Sequence, residues 1–352
     1  MVVSEPGVPK ISVIIPVYNM AAYLPDAAES LRSQTMTDWE AVCIDDGSTD
    51  GSPALLDRYA GEDPRFRVFH QENRGAAAAR NRGMDHARGR FLFFLDPDDW
   101  IPDREVFSDL YEAAVQNNAR ICGGSFRQLK GDRMISEWIG LNAPYTFSED
   151  RQYSYAEYQF DYGWVRFLYD RQFLAENDLR LPEYTYFEDP VFFVRAMDRA
   201  GEFYALRRPA YCYRTGYKSE ELSYPRTLDL VRGFRDILAF ARERGYDRLL
   251  ELDTTRFRTE YAGRILQYLH EEYAGELRAL IDEINGILFP CGDNRIEYAM
   301  YRHLLEKGDA RLRKTEETLA GLRNSSSWKI GRAATALPRR LKKAAARFLE
   351  RK

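Results

Sequence analysis

Short apolar runs and polar turns alternate along the first hundred residues, and the spacing of the apolar positions switches from run to run. Residues 11–17 (ISVIIPV) are nearly all apolar and β-rich, which predicts a first buried strand, stopped by Pro16 and opening into a loop at Tyr18 and Asn19. Leu24, Ala27, Ala28 and Leu31 then recur at helical spacing. A second strand-like run, residues 40–44 (EAVCI), leads into the polar segment 45–52 (DDGSTDGS) and a helix beginning near Pro53. Residues 73–83 (NRGAAAARNRG) set a helix N-terminus among small residues and arginines, a surface suited to phosphates. The run Phe91-Leu92-Phe93-Phe94-Leu95 predicts a buried strand that ends at Asp96-Pro97-Asp98-Asp99, and Asp103-Arg104-Glu105 opens the next helix. Further on, residues 191–197 (VFFVRAM) read as a buried helix with Pro190 in its first turn. From about Pro225 the strand-like runs give way to helical periodicity interleaved with charge, beginning with Leu228, Val231, Phe234, Ile237 and Leu238.

The acidic tetrad at 96–99 carries the most chemistry. Three carboxylates this close repel one another, and a hard cation such as Mg²⁺ or Mn²⁺ relieves that repulsion while leaving positions open for substrate phosphates. The plain alternative is an acidic turn capping the helix after it. Residues 45–52 are likewise open to a functional reading at the sheet edge or to a plain one, since Asp-Gly-Ser-Thr stretches ordinarily cap helices. Asp189 is open to both as well: it stands at a helix start, where Asp before Pro is a common N-cap.

Taken in order, IPVYN, IDDGSTDGS, NRGAAAARNRG and FLDPDDW resemble the family 2 glycosyltransferases of the GT-A fold. The resemblance runs continuously over residues 10–125 and weakens toward Arg214. It implies an α/β fold with a Rossmann-like mixed sheet of about seven strands flanked by helices. It also implies a nucleotide-sugar donor and a metal, Mn²⁺ or Mg²⁺, bound through the acidic motif. Carried over residue by residue, it assigns Pro16, Tyr18 and Asn19 to a nucleoside pocket, Asp45 to the base or ribose, and Arg80 to the nucleotide. Asp98 falls near the ribose or donor sugar, Asp99 on the metal, and Asp96 one step behind in support. The acidic pair Glu188-Asp189 matches the family's general base, with Asp189 as the base itself. Trp164 and Arg166 are candidates for acceptor or diphosphate contact, although their spacing departs from the commonest family pattern.

Composition sets the frame for these expectations. At 352 residues with 45% apolar content the chain can bury a full core, expected as a catalytic domain over 1–225, a helical accessory region over 226–323 and a basic amphipathic tail over 324–352. Residues 325–352 hold nine cations against the single acid Glu350, a net of +8, which leaves the remainder near −12 in a chain of net charge −4. With Leu337, Leu341, Ala345 and Phe348 at helical spacing, the tail suits an anionic membrane surface and resembles tails on bacterial polysaccharide glycosyltransferases. No nucleic-acid partner is expected. Residues 1–10 carry no cationic apolar leader and no run of about 18 apolar residues occurs, so the expected location is the cytoplasm, peripheral at the inner face of the cell membrane. The four histidines lack ligand spacing and read as surface or packing residues. No G-x-G-x-x-G follows Ile15, which argues against a dinucleotide oxidoreductase. The expected activity is inverting transfer of a sugar, UDP-linked by preference, to a glycan or lipid-linked acceptor. The rival is a non-catalytic scaffold of the same fold, recruited to the membrane by its tail.

Overall fold

The structure is a computed structural model that describes residues 8–216, 221–269, 271–290 and 295–306. The chain divides into two compact units, the boundary in sequence falling between residues 219 and 220. In the first unit the elements run β1 (Ile11–Val17), α1 (Leu24–Arg32), β2 (Trp39–Asp46), α2 (Ser52–Glu62), β3 (Phe66–Gln71), α3 (Ala76–His86), β4 (Phe91–Phe94) and α4 (Val106–Gln116). They continue with β5 (Ile121–Lys130), β6 (Arg133–Ile135), β7 (Arg151–Ser154), α5 (Tyr155–Tyr158), β8 (Phe167–Asp170), α6 (Arg171–Glu176), α7 (Glu188–Ala200) and β9 (Glu202–Thr215). All nine strands join one mixed sheet, larger than the family resemblance implies, in the order β3-β2-β1-β4-β8-β5-β9-β7 with β6 beside β5.

The strands β1 to β4 pair in parallel, whereas β8 runs antiparallel to both β4 and β5. Every residue of β1 is buried, as a central parallel strand covered on both faces requires. The strand runs through Pro16 instead of stopping there, with Pro16 paired to Ile44 on β2. Leu95 N–H donates to the Ile14 carbonyl, so Ile14 and Pro16 face the β4 side, and the β4 ladder ends at Ile14–Phe94. The missing Pro16 N–H therefore falls beyond the last hydrogen bond that would have used it. Glu40, buried in mid-strand, accepts from Ser12 Oγ at 2.7 Å, Arg88 N at 2.8 Å and Arg67 Nη1 at 2.9 Å. Burial alone would raise its pKa, yet these donors hold it below the usual carboxylate range.

The second unit is helical: α8 (Tyr224–Arg244), α9 (Asp247–Thr259), α10 (Ala262–Leu266), α11 (Gly275–Leu288) and α12 (Ile296–Glu306). Leu230, Val231, Phe234, Ile237 and Leu238 of α8 are buried, and Phe234 meets Phe257 of α9 edge to face at 5.0 Å. Gly245, in the left-handed region, ends α8. Among the described residues no helix is long and apolar enough to cross a membrane. The basic tail expected over 324–352, and residues 307–323 of the expected accessory region, lie outside the described residues.

Candidate active site

Strand order locates the site. From β1 the chain steps outward through β2 to β3, then crosses back to place β4 on the other side of β1. Loops leaving the C-terminal ends of β1 and β4 thus diverge and leave a crevice, the usual ligand position in such sheets. Tyr18 and Asn19 follow β1, Asp45 and Asp46 end β2, and the acidic turn follows β4.

The first two loops are stitched together. Asn19 adopts a left-handed backbone with φ 54°, and its Oδ1 accepts from Thr49 N at 2.8 Å and Asp50 N at 3.3 Å. Asn19 N donates to Ser48 Oγ at 3.0 Å. Asn19 therefore works as a brace between loops. Tyr18, 47% exposed, is the residue of this loop free to meet a planar base, while Pro16 is sealed inside the sheet. Asp45 is buried; its Oδ1 accepts from Ser48 N at 3.0 Å and its Oδ2 lies 2.8 Å from His70 Nδ1. His70, which the sequence suggested as a packing or surface residue, also reaches Asp57 through Nε2 at 3.2 Å. The Asp45 contact above all raises its pKa and favours the protonated ring. Asp46 accepts from Arg74 N and Gly75 N, each at 2.8 Å, and so ties β2 to the start of α3. Gly47 is obligatory at this crossing: its φ is +74° and a Cβ would lie 2.9 Å from Asn73 N.

The acidic turn is anchored from a distant strand. Tyr211 Oη on β9 accepts from Asp96 N at 3.0 Å and donates to Asp99 Oδ2 at 2.8 Å. Arg214 N donates to Asp99 Oδ1 at 2.7 Å, and Arg214 Nε donates to the Asp98 carbonyl at 3.1 Å. The Arg214 guanidinium sits over the rings of Trp100 and Tyr23 and pairs with Asp26 at 2.6 Å. Burial first, then the charges of Asp96 and Asp98, push the Asp99 carboxyl well above its ordinary range. Tyr211 and Arg214 carried no signal in the sequence, because they lie in a strand more than a hundred residues away.

Asp99, the expected metal ligand, is fully buried, and each of its oxygens accepts one hydrogen bond, which leaves a lone pair on each. Among the described residues no group of three or more His, Cys, Asp and Glu forms a ready metal cage. The crowding of negative charge still fits a divalent cation, and the Asp96 side chain keeps 24% of its surface open. Asp96 is the most open carboxylate of the turn, and with the buried Asp98 and Asp99 behind it forms the set that could hold one.

Facing the turn is the start of α7. Its N-cap is Phe187, held at φ 68°, a strained backbone for a bulky residue, so Asp189 lies inside the first turn and is not the cap. Glu188 is buried, whereas Asp189 is half-buried. Burial, followed by the Glu188 charge, pushes the Asp189 carboxyl up to about 8 against the pull of Arg80. A carboxylate poised this high is a competent proton acceptor.

Arg80, expected on the nucleotide, lies 7% exposed between these two segments. Its Nη1 donates to Glu188 Oε1 and its Nη2 to Asp96 Oδ1, both at 2.7 Å. The Trp164 ring, buried against Phe94 and Phe192, lies 5.2 Å from the guanidinium. Trp164 thus backs the site from inside. Arg166, the other candidate contact, is wholly buried. Its guanidinium donates to the carbonyls of Gly163, Gly124, Tyr145 and Pro144 and to Tyr158 Oη. No donor remains for a substrate, and Arg166 serves to close loops around an aromatic cluster.

Residues 12–176 match the model of glycosyl transferase family 2. The uncharacterized glycosyltransferase EpsJ of Bacillus subtilis is 31% identical over 242 residues, 66% of this chain and 70% of its own length. The chain belongs to glycosyl transferase family 2. The putative glycosyltransferase EpsH of the same organism is 33% identical over 228 residues, and that alignment spans 62% of this chain and 65% of EpsH. The S. aureus protein TarS, residues 1–349, solved in complex with UDP, superposes with a TM-score of 0.63 over 88% of this chain and 87% of its own. At 20% identity that likeness speaks for the fold, and it bears out the GT-A architecture.

Proposed function

We propose that this chain is an inverting glycosyltransferase that moves a sugar from a UDP-sugar to a hydroxyl of a glycan or lipid-linked acceptor, with assistance from a divalent cation. The observation that carries the reading is the meeting of the Asp96–Asp99 turn and the Glu188–Asp189 pair at Arg80, beside the crevice where β1 and β4 diverge. A UDP donor is favoured because TarS, which shares the fold, has been solved with UDP-GlcNAc. Intact carboxylates on both sides of the crevice argue against a non-catalytic scaffold.

In this mechanism Tyr18 and Asp45 receive the nucleoside, and Asp98 receives the ribose or donor sugar. Asp189 accepts the proton of the acceptor hydroxyl as its oxygen attacks the anomeric carbon from the face opposite the diphosphate. The bond from that carbon to the β-phosphate oxygen breaks, and its electron pair leaves with the nucleoside diphosphate. A bound Mn²⁺ or Mg²⁺, held by the carboxylates of the Asp96–Asp99 turn, would supply charge neutralisation at the leaving oxygens. The basic tail holds the enzyme at an anionic membrane, where a lipid-linked acceptor is presented.

The test is a panel of UDP-, GDP- and dTDP-sugars with Mn²⁺ or Mg²⁺, monitored for free nucleoside diphosphate. Release from UDP-sugars, abolished by chelation, is expected. No release from any donor with any acceptor fraction would leave the scaffold reading in its place.

A further inference from the structure

We propose that Arg80 is a positioning residue for the transfer reaction: its guanidinium fork locks the Asp96 turn to the first turn of α7 and thereby sets the relation between the donor-side carboxylates and Asp189. The inference rests on the transfer activity proposed above. It differs from the family-derived expectation that Arg80 contacts the nucleotide.

Three observations carry it. The two terminal nitrogens of Arg80 are committed, at 2.7 Å each, to Asp96 and to Glu188, residues 16 and 108 positions away on separate elements. The remaining nitrogen, Nε, is buried without a hydrogen-bond partner, and with the residue only 7% exposed the guanidinium has little surface left to meet a phosphate. The Trp164 ring at 5.2 Å backs the guanidinium. Burial alone would lower the Arg80 pKa, but Asp96 and Glu188 raise it, so the cation is permanent.

A planar, always-charged fork is what two carboxylates need if their mutual angle is to be fixed; a lysine is a single point charge on a flexible stem. The backbone supports the fork. Arg80 projects from α3, whose first turn is tied to β2 through Asp46, and Glu188 is followed directly by Asp189. Any slack in the fork is passed to the proton acceptor one residue on. An angstrom of misplacement costs about a hundredfold in such reactions.

The experiment compares wild type with Arg80→Lys and with the double variant Arg80→Met/Glu188→Gln, which leaves no unpaired charge on α7. Readouts are kcat and KM for the donor, the donor Kd by calorimetry and the melting temperature, with rates expressed per folded protein. We expect kcat to fall roughly ten- to a hundredfold in both variants. Donor KM and Kd should stay within about twofold of wild type, because the fork does not touch the donor. A tenfold rise in donor KM with kcat unchanged would restore Arg80 to the phosphates and overturn the inference. So would an undiminished kcat, and so would failure of both variants to fold, which would make Arg80 a stability element. Wild type inactive on every donor would instead remove the transfer reading itself.

Discussion

Tyr211→Phe tests how the acidic turn is held. The substitution removes one oxygen from a fully buried ring whose stacking on Phe126, at 5.9 Å between centroids, is left in place. Two hydrogen bonds go: the Asp96 N–H loses its acceptor, and Asp99 Oδ2 loses its donor. A hydrogen bond to a charged group contributes about 1.5–3 kcal/mol, and a buried N–H left unpaired costs about 1–3 kcal/mol. With partial relaxation of the turn, the expected loss is about 3 kcal/mol, which in a domain of this size lowers Tm by roughly 6–12 °C. The sign of the pH dependence follows from Asp99. Its folded-state pKa is raised, so the folded protein binds that proton more tightly than the unfolded chain, and its penalty to stability grows as pH rises toward the folded pKa. A protonated Asp99 no longer needs a donor on Oδ2, so the deficit should be smaller at acidic than at alkaline pH. The assay is a thermal melt followed by near-ultraviolet circular dichroism at an acidic and an alkaline pH. A drop below about 1 °C, or a drop equal at both, would refute the account of the turn as charge-anchored.

Four further outcomes are expected. Asp189→Asn should lower kcat by about a hundredfold or more while the donor Kd measured by calorimetry stays unchanged; weakened donor binding would move Asp189 out of the base role. With wild type, kcat/KM should rise with pH through about 8 as Asp189 loses its proton, whereas the stability this group costs accumulates lower, between its ordinary value of 3.8 and about 8; a kcat/KM profile already flat from about pH 6 would contradict it. Arg166→Met should cost about 3–5 kcal/mol in urea melts, because several buried carbonyls lose their donor, with donor KM unaltered; a KM effect at full stability would return Arg166 to the substrate. Deleting residues 325–352 should abolish sedimentation with phosphatidylserine vesicles while sparing transfer to a soluble acceptor, and retained binding would dismiss the tail as an anchor.

The amino-acid sequence by itself determined where the chain is extended, where it is helical and which polar segments leave the sheet. Buried parallel strands need unbroken apolar runs, and residues 11–17 and 91–95 have them. Each such run ends at the polar residues that must reach solvent, so the carboxylates at 45–46 and 96–99 were legible as a group at one sheet edge. Local spacing determines such things because they depend on neighbours within one or two turns. Three-dimensional packing decided what each carboxylate does. Asp99 became the anchor of its turn because β9, more than a hundred residues on, delivers Tyr211 Oη and Arg214 N to its two oxygens. Arg80 turned inward because α7 brings Glu188 opposite Asp96, and Arg166 disappeared into a ring of carbonyls contributed by β5 and two separate connecting segments. Charge pairing and burial between remote segments are properties of the folded chain, since no local pattern records which distant group will stand within hydrogen-bond reach.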